Sequence, residues 1–259
     1  MIAIDCHVHV YPGYDLGRFL SAAVDNLARL NPRDASDMEY GLLLTERSDC
    51  HFFRDAGSGL LDLPVGWRIE GAVEDGVLRF CGPASETLWI FCGRQVVTKE
   101  RLECFAWFLD VNVQEGCRFL DVQQEILDRG GVPVLPWAVG KWLFGRARDV
   151  GEILDASTPE SLVLCDSALR FIGWPDPRSM KRARDEGFTV VAGTDPLPGS
   201  GEESVVGSYG LILTDGFDST QPVSSLKQAF LGGSATASIA GQRGSAYTVW
   251  QRLRSSTSL

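Results

Sequence analysis

Histidine is scarce in this chain, with three copies in 259 residues, at positions 7, 9 and 51. Imidazole chemistry is therefore confined to two places. The glycine loop of phosphate-binding NTPases, the Gly-x-Gly-x-x-Gly turn of dinucleotide folds and the Gly-x-Ser-x-Gly elbow of serine hydrolases are all missing. Seven cysteines, an odd number with no Cys-x-x-Cys pair, exclude a paired disulfide framework and read as reduced core thiols of a cytoplasmic protein. No apolar run approaches the ~18 residues of a membrane span, and no basic-then-apolar leader opens the chain, so neither a membrane partner nor export is expected. Basic residues are outnumbered, 24 against 34, for a net charge of −10. That argues against a nonspecific nucleic-acid binder, whose affinity rests on clustered Lys and Arg.

What is present is an apolar start that ends in chemistry. Ile2 and Ile4 begin a short strand, and His7 and His9 follow at i and i+2, with Asp5 two residues earlier. Side chains two apart on a strand share a face, so both imidazoles can converge on one divalent cation. Asp15 can cap a helix over 16–30, whose apolar positions recur at three- and four-residue steps. The apolar run from Met38 to Thr45 suggests a strand buried on both faces. Alternation over Trp67–Val73 and Val77–Phe80, around Glu74-Asp75-Gly76, predicts an antiparallel hairpin insert at about 67–81. Leu88–Cys92 reads as a buried strand, and Leu102–Leu109 is aromatic enough to favour a strand over a helix. Beyond residue 114, helices over 114–129, 146–154 and 177–186 alternate with strands over 132–137, 162–165 and 188–193, and a helix over 223–231 comes late. This cadence predicts a mainly parallel α/β sheet in a single domain over 1–259, with Gly232–Ser245 as a flexible connection.

Reactive side chains stand at the predicted strand ends: His7 and His9, Glu46, Arg94, Lys141, Asp166 and Asp195. His51 lies in the polar run beyond the second strand, where a solvated loop is the competing reading. If the strand ends meet at one mouth, residues far apart in sequence become neighbours.

Asp5-x-His7-x-His9 at the end of a first strand resembles the opening metal motif of the amidohydrolase-like hydrolases and of the polymerase-and-histidinol-phosphatase (PHP) family. Gly193-Thr194-Asp195-Pro196 is similar to the late aspartate motif of the same hydrolases. The resemblance implies a distorted TIM-like (β/α)7-8 barrel with one or two divalent ions (Zn, Mn or Fe) at the carboxyl ends of its strands. On that pattern the metal candidates are His7, His9, Asp195, Asp166, Glu46 and His51. Two features depart from it: Leu197 stands where PHP proteins have a histidine two beyond the aspartate, and the middle strands carry no histidine.

The expected activity is hydrolysis by a metal-activated water on a small anionic substrate, with Asp195, Lys141 and Arg94 as catalytic or anion-gripping residues. In some of these hydrolases a strand-end lysine is carboxylated and bridges two metals; Gly140-Lys141-Trp142 also suits a plain cation that holds a phosphate or carboxylate, and this second role is the expected one. A phosphoester is the first expectation. An amide or ring C–N bond is the alternative, and a catalytically inactive barrel that binds a ligand or partner is a third. An oligomer is compatible with all of these.

Overall fold

The structure is a computed structural model that describes residues 1–31, 38–71, 73–142, 145–233 and 236–256. Strand β1 (Ile2–Val8) is buried along its whole length. On one side it pairs parallel with β2 (Glu39–Leu44) and on the other antiparallel with β11 (Tyr209–Leu213). Helix α1 (Leu16–Leu30) lies over them. Asp15 caps it by accepting from Arg18 N at 2.9 Å, and Phe19, Leu20, Ala23, Val24, Leu27 and Leu30 form its buried stripe.

The alternating segment forms β3 (Arg68–Glu70) and β4 (Val77–Cys81), with Arg68 opposite Cys81 and Glu70 opposite Arg79. Ala72 lies outside the described residues. The hairpin ends a seven-stranded sheet in the order β12-β11-β1-β2-β5-β4-β3, where β5 is Thr87–Phe91 and β12 is Ala237–Gly241. A second, five-stranded sheet runs β10-β9-β8-β7-β6: Val190–Gly193, Val163–Ser167, Val132–Pro136, Glu103–Trp107 and Gly93–Val97. Short helix α2 (Phe52–Gly57) follows β2, and α3 (Phe119–Asp128), α4 (Gly145–Ala156) and α5 (Arg178–Asp185) cover the second sheet; α6 (Pro222–Leu231) and α7 (Ala246–Ser256) come last. No helix among the described residues is long and apolar enough to cross a membrane.

The fold is α/β, but it is not the (β/α)7-8 barrel expected from the resemblance. Five consecutive strands, β3 to β7, follow one another with no helix between them. Such short connections permit antiparallel pairing but no crossover. Accordingly β3–β4, β4–β5 and β6–β7 are antiparallel; β7–β8 is antiparallel too, although α3 lies between them, and the hydrogen-bonded ladders form two mixed sheets rather than one closed ring.

The sheets pack over a shared apolar core, and backbone hydrogen bonds join them at two places. At one, Glu46 forms an isolated bridge with Arg94, Glu46 N donating to Gly93 O and Gln95 N to Glu46 O. At the other, Asp195 N donates to His7 O at 3.0 Å. A glycine stands at each joint because the backbones come too close for a side chain. A Cβ on Gly93 would overlap Leu44 O, and one on Gly193 would overlap the N and Cβ of His7. Gly193→Ala is therefore expected to destabilise the protein by roughly 1–3 kcal/mol, the cost of overpacking. Gly151→Ala, in α4 with open space around it, should be neutral or slightly stabilising. Urea unfolding of the two variants checks the contrast.

Candidate metal centre

The histidines reach one point because β1 is irregular. Its register against β2 advances from Asp5–Leu42 to Val8–Leu44, three steps against two, so β1 carries one extra residue there. Ile2, Ile4 and Cys6 face the interior cluster, Val8 faces the cluster under α1, and the His7 ring meets Phe105 of the interior edge-on at 4.5 Å. An extra residue that re-aims side chains beside a site is a common use of a β-bulge.

His7 Nε2 and His9 Nε2 lie 3.2 Å apart, and Asp195 Oδ1 is 3.4 Å from the first and 3.9 Å from the second. Three lone-pair donors at such distances repel unless a proton or a cation stands among them. Tetrahedral coordination at 2.0–2.1 Å puts its donors about 3.3 Å apart, so the spacings fit a single ion. Among the described residues, this is the group of three His, Cys, Asp or Glu donors within 4.8 Å of one another. Burial lowers the pKa of both histidines to about 3, so both are neutral and able to ligate near neutral pH. Burial pushes the Asp195 carboxyl upward, against the pull of His9 and Arg252. Nδ1 of each ring has no hydrogen-bond partner among the described residues. Ring packing, on Phe105 for His7 and on Tyr11 at 5.6 Å for His9, takes the orienting role that a hydrogen-bonded partner usually plays.

Asp195 sits at a φ of 50°, in the left-handed region. Asp and Asn enter it more readily than most residues. Its Oδ2 accepts from Ser167 Oγ at 3.1 Å, which leaves Oδ1 for the histidines. Asp5 holds the neighbourhood together from below. It is wholly buried; Oδ1 accepts from Thr194 N at 2.9 Å and His7 N at 3.1 Å, and Oδ2 accepts from Gly207 N at 2.9 Å and from the Thr194 hydroxyl. Burial raises its pKa to about 6 despite these four donors.

The donors open into a cleft of about 530 Å³ whose walls include Tyr11, Arg47, Gln95, Glu103, Val139 and Leu253. Lys141 stands beside it, with Nζ 2.5 Å from Glu103 Oε1, and its charge is felt at both His7 and Asp195. The other sequence candidates lie elsewhere. Arg94 is buried and committed to Asp110 at 2.6 Å and Cys50 O at 2.7 Å. Glu46 is 3.8 Å from Arg94, accepts from Phe53 N, and has its pKa raised to about 7 by burial. Asp166 is gripped at both oxygens by Arg170, at 2.7 and 2.5 Å, and by Tyr209 OH at 2.8 Å. His51 is exposed at the start of α2 and lines a neighbouring cleft of about 340 Å³, which shares Tyr11 with the first.

Sequence reasoning missed Arg47, Glu103, Ser167 and Arg252. Arg47 follows Glu46 at a strand end and could have been found by the same rule. Glu103 could not, because it begins β7, and β7 runs antiparallel to its neighbours, so its first residue reaches the site.

No family model matches the sequence, and no curated protein matches it. Among solved structures, PsfC from Pseudomonas syringae PB-5123 superposes with a TM-score of 0.58 at 14% identity, over 98% of this chain and 97% of that one. The lesion-specific endonuclease PfuEndoQ from Pyrococcus furiosus aligns with a TM-score of 0.48 at 11% identity, over 91% of this chain and 57% of the endonuclease. The likeness to PsfC is one of fold.

Proposed function

We propose that the protein is a metal-dependent hydrolase of small anionic substrates, with a phosphoester as the bond cleaved. The observation that carries this reading is the convergence of His7 Nε2, His9 Nε2 and Asp195 Oδ1 at single-ion spacing on the floor of an open cleft. A divalent cation held there would lower the pKa of water towards neutrality and stabilise charge developing on a phosphoryl oxygen.

The chain's own residues supply the grip. Arg47 is half exposed and paired with Asp49 at 3.1 Å. Exposed pairs contribute little, so a phosphate can replace Asp49 as the partner of the guanidinium. Lys141 gives one N–H to Glu103, and an ammonium keeps two more for a substrate oxygen. Gln95 Nε2 donates to the same Glu103 oxygen at 3.2 Å, which fixes the carboxylate and with it Lys141. Tyr11 separates this polar cleft from the more apolar one beside it, a suitable wall for the uncharged part of a substrate.

The test is a substrate screen on protein loaded in turn with Zn, Mn and Fe, beside chelator-treated protein and Asp195→Asn. Phosphoester turnover that chelation abolishes and metal restores supports the reading. Turnover of amides or cyclic C–N bonds alone would replace it with the amidohydrolase alternative. Stoichiometric metal with no turnover of either class would leave a metal-dependent binding protein.

A further inference from the structure

We infer that Arg252, on the C-terminal helix, is a positioning residue for the aspartate of the metal group, so that docking of that helix and occupation of the site are coupled. The inference rests on the metal-site reading above but concerns residues outside it.

Arg252 Nη2 donates to Asp195 O at 2.9 Å and approaches Thr194 O at 3.4 Å. The peptide it holds is the one bearing a ligand in the left-handed backbone region, a conformation that persists when surrounding contacts enforce it. Three other contacts constrain this residue or its neighbour: Asp195 N donates to His7 O, Ser167 Oγ donates to Asp195 Oδ2, and the preceding Thr194 N donates to Asp5 Oδ1. Arg252 alone among them comes from an element outside the two sheets.

The guanidinium is itself fixed. Nε lies 3.0 Å from both oxygens of Glu202, and Nη2 is 2.8 Å from Oε2. Glu202 is buried and also accepts from Leu197 N at 3.0 Å, two residues beyond Asp195. Arg252 and Glu202 thus clamp the segment 194–197 from both ends. A charged pair at about one-tenth exposure on each side is a strong, geometrically specific tie.

Helix α7 also packs on the core of the second sheet through Val249 and Leu253. Val249 is its buried residue, and Tyr247 and Trp250 are 65% and 52% exposed. Leu253 reaches the cleft wall. The polar tie from this helix to a ligand-bearing loop works in both directions. Whatever fixes Asp195 also fixes the helix, and loosening the helix loosens Asp195, because coupling between sites is reciprocal.

The experiment uses Co²⁺ alone as probe on the full chain, with wild type, Arg252→Gln, Arg252→Lys and Glu202→Gln. Calorimetry gives affinity, the visible Co²⁺ spectrum reports coordination geometry, and hydrogen exchange reports α7. Arg252→Gln is expected to bind about 10- to 100-fold more weakly, the usual effect of losing a group that orients a ligand. Its spectrum should be altered, and Arg252→Lys should fall between. In wild type, Co²⁺ should slow exchange across 246–256; in Arg252→Gln it should not. Equal affinity and identical spectra in wild type and Arg252→Gln would overturn the inference while leaving the metal site standing. Wild type that takes up no Co²⁺ would overturn both. Glu202→Gln guards against misfolding of the arginine variants, because it keeps Arg252 and weakens its anchor together with the Leu197 end of the same clamp: a spectrum shifted in the same direction supports the inference, and an unchanged one opposes it.

Discussion

Wild-type protein should carry close to one equivalent of a divalent transition metal, and a His7→Ala/His9→Ala double variant should carry none. Elemental analysis of both, purified without chelator, makes the measurement. The effect is large because no other donor stands ready. Asp195 alone would remain of the three, and among the described residues no second group of three such donors gathers elsewhere. Stability should follow. A ligand at a thousand times its dissociation constant adds about 4 kcal/mol to the unfolding free energy, so metal should raise the melting temperature of wild type and leave the double variant unmoved. Absence of metal from wild type after reconstitution would sink the hydrolase reading.

The metal-free protein carries a second signature. Folding holds both histidines neutral, with pKa values near 3 against about 6.5 in the unfolded chain. The unfolded state therefore binds more protons between those values. The stability these groups contribute is present above about pH 6.5 and lost as pH falls towards 3. The double variant should lack that part of the acid sensitivity, which urea titrations across this range would reveal.

Asp5→Ala should be the most damaging single substitution outside the three donors themselves, at roughly 3–5 kcal/mol of stability. Removing the carboxylate leaves the N–H groups of His7, Thr194 and Gly207 buried without their acceptor, and each orphaned donor costs about 1–3 kcal/mol. The same change frees Thr194, and with it Asp195, so metal uptake should fall even where the protein remains folded. Asp5→Asn is the informative companion. It keeps the volume but turns one oxygen into a donor facing Gly207 N–H or Thr194 N–H, so it should be intermediate. Denaturation curves and metal content, taken on the same preparations, separate loss of fold from loss of site. An Asp5→Ala protein as stable as wild type would mean that water replaces the carboxylate at little cost, contrary to the burial of all three donors.

The three donors were legible in the sequence for a simple reason. Two histidines spaced by two beside one strand end and Gly-Thr-Asp at another are local signals, although the convergence itself uses the extra residue in β1 rather than regular alternation. Helix α1 was equally legible, since Asp15 and the apolar stripe behind it are local signals. The closed ring failed because it depended on strand direction, which local patterns do not encode. Reading the strands of the middle region as parallel put weight on their last residues, such as Arg94, and overlooked Glu103 at the start of its strand. Strand β11 was missed although Tyr209-Gly210-Leu211-Ile212-Leu213 repeats the pattern of Tyr40-Gly41-Leu42-Leu43-Leu44, the strand on the opposite flank of β1. Strand β12 could hardly have been seen, since it is exposed along most of its length and owes its conformation to backbone pairing with β11. The extra residue in β1 has no sequence signature either, as a bulge is a property of two strands together.

The backbone hydrogen bond from Asp195 N to His7 O ties the two sheets together directly beside the metal group. Any breathing motion that parts the sheets along the edge this bond spans must pull one ligand away from the other two. A bound ion would act as a rivet across this edge, so emptying the site should loosen the sheets' mutual orientation as well as remove the chemistry. The protein would thereby report its own loading as stiffness, readable in how fast backbone amides on either side of that edge exchange with solvent.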